Sequence, residues 1–380
     1  MFNRRKFLKL ILTVTGFFFS SKVSFAAPDL LQPNMNTDLS SSADSIVLRV
    51  HNFALSSTEK DQVRQKKIFE MVEQGLNKIT GKNSLKDAWL QILQNYKKGD
   101  SIAIKPNFNS IHLNNKNIIT SPDLLSVLVN QLIEVVGVQP YNIYLYDLCK
   151  KIPDSIKSQI HPNIRYIERF DPESVLDKIK MRLRLDPAAG ATAAEISMRN
   201  SIKDDLGRPV KCFIPKVLSR VQHLINVPLL TNHVFISNSG ALKNHFGTVR
   251  FSNYSSYPVS LHGDFINESI ADINMHPVIR GKTKLIIADG IVGVFDRGEG
   301  EGGKKWITFG NDFPKSIFLS KDPVALDSVM AEHVMQERRK RNLTTLSDSY
   351  LQIAADSGLG LNLKRQGKIG GKVKYSTFTI

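Results

Sequence analysis

The sequence predicts an α/β fold, a mostly parallel twisted sheet flanked by helices. Short apolar runs of strand length alternate with longer stretches whose apolar residues recur at helical spacing. Several apolar runs end in a polar residue, as at Lys105, Asp147 and Asp289. The hydrophobic fraction of 42% is ordinary for a globular protein and excludes wholesale disorder. A chain of 380 residues suits two average domains or one large α/β domain.

The N-terminal residues 1–26 predict a signal peptide. The run from Asn3 to Lys9 contains Arg4-Arg5 and resembles a twin-arginine export motif. The apolar run that follows, 10–19, is too short for an ordinary membrane span, and Ser24-Phe25-Ala26 offers small residues for a signal peptidase. We therefore expect export to the periplasm through the twin-arginine machinery. An uncleaved N-terminal anchor is the alternative.

The composition limits the partners and cofactors. Net charge is +16, and the chain stays basic beyond its first 26 residues, which suits small anionic ligands, a membrane surface or nucleic acid, or serves solubility alone. No zinc-finger spacing or RNP-type motif indicates nucleic-acid binding. Two cysteines, Cys149 and Cys212, are too few for a four-cysteine iron–sulfur cluster. Those two thiols are expected either to form one disulfide or to stay separate and buried.

Periodicity places the elements of the first half. Residues 27–44 have no period and predict a flexible linker, so residues 45–380 form the α/β domain, as one body or two lobes. Thr58 is a candidate cap for the first helix, and Thr120 or Ser121 for the third. Strands are predicted at 45–50, 101–104, 142–146 and 164–167, and helices at 58–79, 85–96 and 121–136. Strand, helix and strand in this spacing predict a parallel crossover, which puts Lys105 and Asp147 at one sheet edge.

The second half is less regular at first. Residues 181–210 are broken by Pro and Gly and predict an excursion beside the sheet, and the glycine-rich segment 295–305 predicts a flap. Asp322 is an N-cap candidate, with Pro323 at the first helical position. Strands are predicted at 224–227, 283–288, 316–320 and 373–380, and helices at 265–273, from 322 onward and at 347–355.

The stretch from His223 to Arg250 contains the highest density of candidate functional residues. An apolar run closed by Pro228 leads into a loop rich in hydrogen-bonding residues. A strand that empties into such a loop is typical of ligand sites in α/β folds. The residues predicted to bind a ligand here and at neighbouring strand ends are Lys105, Asn107, Asp147, Lys243, Asn244, His245, Asp322 and Asp327.

Catalysis is predicted at His233, with Asp289 as the carboxylate that orients it. A plain hydrogen-bonding role for this histidine is the alternative. A further alternative is a divalent metal ion bound by His233, His262 and Asp264, although no spacing typical of a metal site supports it. Asp322 and Asp327 also suit helix capping.

Six segments in this order resemble the DUF362 family, a set of prokaryotic proteins without an established activity. They are Ile104-Lys105-Pro106-Asn107, Thr120-Ser121-Pro122, Ile225-Asn226-Val227-Pro228, the run from Gly240 to Gly247, Ala288-Asp289-Gly290 and the run from Asp322 to Asp327. Relatives usually read Pro-x-x-Lys-Thr-His after the central strand. Here Thr231 and Asn232 replace the lysine and threonine, while His233 keeps its place. Many relatives carry ferredoxin-type cysteine runs, which this chain lacks, so the resemblance implies no electron-transfer role.

Two functions remain open from the sequence. In the first, an exported enzyme acts on a small anionic substrate by acid–base or metal-assisted chemistry. In the second, a non-catalytic periplasmic protein holds a ligand or metallocofactor for a partner.

Overall fold

The computed structural model describes residues 44–56, 59–108, 119–169, 192–204, 206–252, 259–263, 265–296, 303–365, 367 and 370–380. They belong to one compact unit, Pro33–Ile380. The predicted signal peptide, nearly all of the linker, Thr58, Asp264 and residues 297–302 of the glycine-rich segment lie outside the described residues.

The described strands form a large sheet and a small one. They are β1 (Ser45–His51), β2 (Ile102–Pro106), β3 (Ile143–Asp147), β4 (Arg165–Glu168), β5 (Thr192–Glu195), β6 (Cys212–Pro215), β7 (His223–Val227), β8 (Leu229–Thr231), β9 (Arg250–Phe251), β10 (Thr283–Val294), β11 (Ser316–Ser320) and β12 (Val373–Thr379).

The helices connect and cover these strands. They are α1 (Asp61–Thr80), α2 (Leu85–Ile92), α3 (Pro122–Gln131, continued by a π turn, Leu132–Val136), α4 (Asp154–Lys157), α5 (Lys216–Arg220), α6 (Ala241–Asn244), α7 (Val259–His262), α8 (Ile266–Met275), α9 (Pro277–Lys282), α10 (Pro323–Lys340) and α11 (Ser349–Asp356). Short 3₁₀ segments lie at Pro140–Asn142, His245–Thr248 and Ile307–Phe309.

The large sheet confirms the predicted α/β class. Its order is β12-β1-β11-β10-β7-β2-β3-β4, with β8 added beside β10. Neighbours pair in parallel except at β11, which runs antiparallel to both β1 and β10. The small sheet, β5-β6-β9, is antiparallel and contains the described end of the predicted excursion.

The direction of β11 decides which residues share an edge. The carboxyl ends of β2, β3, β7 and β10 lie together, because these strands are parallel. Since β11 runs the other way, it ends at the opposite edge, and Asp322 follows it there. The sheet therefore separates Asp322 from Lys105 and Asp147.

Apolar residues cover both faces of the sheet. Helices α1, α2 and α3 pack on one face through residues such as Ile68, Trp89 and Leu125. The other face holds Leu242, Ile270 and neighbouring residues of the later helices. A sheet buried on both faces explains why its strands read as continuous apolar runs.

Some predicted boundaries were wrong by a few residues. Helix α1 starts at Asp61 with Lys60 as its N-cap residue, later than the predicted start at Thr58. Helix α2 ends at Ile92, because the chain turns soon afterwards at Asn95, whose φ of 63° is left-handed. Both Cys149 and Cys212 are free thiols. No helix within the described residues is long and apolar enough to span a bilayer.

Candidate functional site

Lys105 and Asp147 form a buried ion pair at the carboxyl edge of β2 and β3. Lys105 Nζ lies 2.9 Å from Asp147 Oδ2 and also donates to Pro106 O at 2.7 Å. The pair is covered by Gly247, where an added Cβ would lie 2.8 Å from both Lys105 Nζ and Asp147 Oδ2. Asn244 donates from Nδ2 to Lys105 O at 2.9 Å. The charges of both residues are thus engaged inside the protein.

A chain of polar side chains continues from this pair across the sheet face. Asn244 Nδ2 donates to Asn226 Oδ1 at 2.7 Å, and Asn226 Nδ2 donates to His245 Nε2 at 3.2 Å. On its other side His245 Nδ1 meets Thr248 Oγ1 at 3.1 Å. Burial, followed by the charge of Lys105, lowers the pKa of His245 to about 3. His245 is therefore a neutral imidazole with both nitrogens in use.

Lys243 belongs to a different cluster, with two histidines. Its Nζ lies 3.1 Å from His262 Nε2, and its ammonium sits 4.6 Å above the Phe246 ring. Because an ammonium only donates, His262 accepts at Nε2 and is neutral. Burial, then the charges of Lys243 and Lys150, hold the pKa of His262 well below its usual value. The His233 ring stacks on His262 with centroids 5.7 Å apart. We call these residues, Lys243, His262 and His233, the histidine cluster.

The thiol of Cys149 is influenced by both the Lys105–Asp147 pair and the histidine cluster. It lies two residues after Asp147, and its Sγ is 3.5 Å from Phe246 O. Burial, then the charge of Asp147, raises the pKa of the Cys149 thiol to about 12 against the opposing charges of Lys105 and Lys243. Lys105 and Lys243 therefore both act on one thiol, which is held in its protonated, unreactive form.

Asp327 anchors the loop that carries these residues. Its two carboxylate oxygens accept the N–H groups of Ala241 and Leu242 at 2.6 and 3.0 Å, the first residues of α6. Gly240 precedes them, and a Cβ there would lie 2.0 Å from Asp327 Oδ1 and 2.2 Å from Asn238 Nδ2. Burial raises the pKa of Asp327 to about 7. Glycine is required at this position so that the carboxylate can approach the backbone.

The remaining predicted carboxylates also hold backbone. Asp289 accepts the N–H groups of Ser121 and Ile291 at 2.7 and 2.9 Å, and burial raises its pKa to about 6. Asp322 caps α10, as its position before Pro323 predicts, by accepting two N–H groups of the first turn. These geometries give both residues a structural task.

Asn107 lies beside the start of α3. Its backbone N–H donates to Thr120 Oγ1 at 2.8 Å, and its Nδ2 donates to Ser239 O at 3.4 Å. The Thr120 hydroxyl in turn donates to Val227 O at 2.8 Å. Asn107 thus ties β2 to the loop before α6.

A cavity of about 220 Å³ lies on the α8–α10 side of the sheet. We call it the Arg280–Lys321 cavity. Its polar lining consists of Asn226, His245, Asn274, Arg280, Thr283 and Lys321. Arg280 and Lys321 are exposed, whereas the asparagines and His245 are buried. No carboxylate is among the described residues that line it.

The structure thus does not bring the predicted residues together at one site. Lys105, Asp147, Asn244 and His245 share one hydrogen-bonded network, and Lys243 and His233 share the histidine cluster. The carboxylates of Asp289, Asp322 and Asp327 bind backbone elsewhere. Asn226, Asn274, Arg280 and Lys321 were not predicted as site residues from the sequence, although Asn226 belongs to one of the segments that carry the family resemblance. A polar residue inside an apolar strand was the available signal for Asn226.

The metal alternative has no support within the described residues. They contain no group of three His, Cys, Asp or Glu side chains placed to hold an ion. Asp264, the third ligand of that hypothesis, lies outside them.

Comparison with known protein families gives a match. A family model described as "Domain of unknown function (DUF362)" matches residues 102–332. That range contains β2 to β11, the histidine cluster and most of the cavity lining. No curated protein matches the chain.

Proposed function

This chain belongs to the DUF362 family, whose description gives no activity, and we propose from its geometry that it binds a small anion in the Arg280–Lys321 cavity. The supporting observation is a lining with two cations and, among the described residues, no carboxylate. An anion entering such a cavity meets two cations and no carboxylate among the described lining residues.

The two cations have capacity for a ligand. Arg280 uses Nη2 to hold Gly358 O at 2.9 Å, and its guanidinium carries further N–H groups. Burial lowers the pKa of Lys321, although the residue is exposed overall, because neighbouring atoms exclude part of its water. An arriving anion would offset this desolvation.

The size of the cavity limits the ligand. Its volume of about 220 Å³ is below the roughly 300–1,000 Å³ of sites for drug-sized molecules. A carboxylate or phosphate with a few further heavy atoms fits this volume. A nucleotide does not.

Binding is better supported here than acid–base catalysis. The histidine in the lining, His245, has a pKa of about 3, and its two nitrogens are engaged. A general base works best with a pKa near the working pH and a free nitrogen. We therefore propose ligand binding without catalysis for the Arg280–Lys321 cavity.

We further propose that the protein works in the periplasm after twin-arginine export. Arg4-Arg5 in a basic segment, the following apolar run and Ser24-Phe25-Ala26 support this proposal. A binding protein that folds and loads its ligand before export would use such a route.

Native mass spectrometry of protein purified from the exported fraction tests both proposals. We expect a bound small anion in the wild type and its loss from Arg280→Ala/Lys321→Ala. The control variant Lys216→Ala/Arg220→Ala also removes one lysine and one arginine, at exposed positions on α5, and should retain the ligand. Retention by the first variant would contradict the binding site. Absence of the protein from the exported fraction would contradict the export route.

The histidine cluster supports a second candidate function, acid–base chemistry on a small anionic substrate. Lys243 is a proton donor 3.1 Å from a neutral imidazole, and His233 stacks beside it.

Solvent exchange tests this candidate without knowledge of the reaction: small carboxylates incubated with protein in D₂O are examined by NMR for deuterium at carbon. Exchange that is lost in Lys243→Met would support it, and exchange by neither protein would contradict it. Elemental analysis of the same samples tests for a divalent metal.

A further inference from the structure

The polar residues that line the Arg280–Lys321 cavity differ in exposure. Its exposed residues, Arg280 and Lys321, offer only hydrogen-bond donors, because neither guanidinium nor ammonium can accept. Its less exposed residues include the buried Asn274 and the half-buried Thr283, whose side chains carry oxygen atoms. A ligand that fits must match both kinds of group.

Asn274 presents an acceptor to the cavity. Its Nδ2 is used twice, in donating to Leu242 O and to Ile270 O, each at 2.8 Å. These bonds turn the amide nitrogen toward α6 and α8. Within the described part of the chain no hydrogen bond reaches Asn274 Oδ1, although the residue is only 3% exposed. An acceptor this deeply buried gains stability from a donor.

Thr283 adds a second acceptor. Its hydroxyl hydrogen is committed to Ile279 O at 2.7 Å, in the last turn of α9. A hydroxyl that donates its hydrogen keeps lone pairs for accepting. The threonine therefore contributes an oxygen that can receive a hydrogen bond.

The other buried polar groups of the lining are satisfied. Asn226 donates twice from Nδ2, to Ala241 O and to His245, and its Oδ1 receives Asn244. His245 has partners on both nitrogens. The acceptors that can still receive a hydrogen bond are thus the side-chain oxygens of Asn274 and Thr283. The donors available to a ligand are the exposed cations of Arg280 and Lys321.

Building on the proposed anion binding, we infer that the ligand is a small anion with a hydrogen-bond donor, a hydroxyl or an amine, on the end opposite its charge. The anionic group binds Arg280 and Lys321. The donor binds Asn274 Oδ1 and Thr283 Oγ1. A plain alkyl anion leaves these acceptors without a partner.

Calorimetric titration with matched ligands tests this inference. The probes are butyrate, 4-hydroxybutyrate and 4-aminobutyrate, with propionate and 3-hydroxypropionate as a shorter pair. We expect each hydroxy acid to bind about 5- to 10-fold more tightly than its alkyl partner, the range for one added neutral hydrogen bond. Tighter binding of the hydroxyl or of the amine identifies which donor the cavity prefers.

Two variants locate the preference. Thr283→Val keeps the side-chain volume. It should reduce the ratio between the affinity for a ligand with a terminal donor and the affinity for its alkyl partner. Thr80→Val is the matched control, since Thr80 also donates to the carbonyl four residues earlier at the end of a helix, at 2.6 Å, and it should leave the ratio unchanged. Asn274→Ala should abolish the preference if the variant folds.

The outcomes separate this inference from the proposed function. If each donor ligand and its alkyl partner bind equally well, and neither binds Arg280→Ala/Lys321→Ala, the inference is overturned and anion binding in the cavity stands. No binding of any of the five ligands would contradict both.

Discussion

Lys105 Nζ lies 2.9 Å from Asp147 Oδ2, and the two side chains are 1% and 4% exposed. The pair joins the ends of β2 and β3 under Gly247. Its burial makes each charge dependent on the other, because an isolated ion inside a protein loses its hydration without compensation.

Removal of one partner should therefore be costly. We expect Lys105→Met and Asp147→Asn each to lower the free energy of unfolding by about 3–5 kcal/mol. The double variant should lose less than the sum of the single variants, because no unpaired charge remains. Urea denaturation measures all three, and strictly additive losses would show that the pair is not coupled.

Gly247 should tolerate no side chain. In Gly247→Ala the new Cβ would come within 2.8 Å of the ion pair, and we expect a loss of about 1–3 kcal/mol in unfolding free energy. The control is Gly281→Ala in α9, where a Cβ meets nothing within 4 Å. That variant should be neutral or more stable by up to about 1 kcal/mol. Equal stability of both variants would contradict the close packing over the ion pair.

Asp327 should make stability depend on pH. Burial raises its pKa from 3.8 to about 7 in the folded protein, so the folded state binds the proton more tightly than the unfolded state. The resulting stabilisation is present below pH 3.8 and is lost as the pH rises toward 7.

The difference between wild type and Asp327→Asn isolates this effect. Titrating groups that do not interact with Asp327, such as Asp289 and His245, act in both proteins and cancel. Over pH 4 to 7, the unfolding free energy of the wild type should fall relative to that of the variant. Parallel curves would mean that Asp327 titrates alike in the folded and unfolded states.

Sequence alone predicted the parts of the fold that depend on local pattern. Apolar runs that end in Lys105 and Asp147 placed both residues at one edge, because adjacent strands joined by a crossover helix are parallel. Asp322 was expected in the same cleft, but β11 runs antiparallel and carries it to the other edge. Strand direction in a mixed sheet depends on long-range pairing, which a local pattern does not reveal.

The cavity was beyond sequence reasoning for a similar reason. Its lining comes from β7, the segment after α6, helices α8 to α10, the start of β10, the turn after β11 and the segment after α11. These residues span more than a hundred positions of the sequence. In the sequence, Arg280 and Lys321 are two cations among 51 lysines and arginines. Only the folded chain brings them to one opening above buried amides.

A crystal soaked in selenate, a tetrahedral anion that selenium makes visible by anomalous scattering, tests the anion site most directly. We predict the strongest anomalous peak within hydrogen-bonding reach of Arg280 and Lys321, and its loss from crystals of Arg280→Ala/Lys321→Ala. A peak at Lys243 and His262 with none in the Arg280–Lys321 cavity would contradict the proposal and favour the histidine cluster instead.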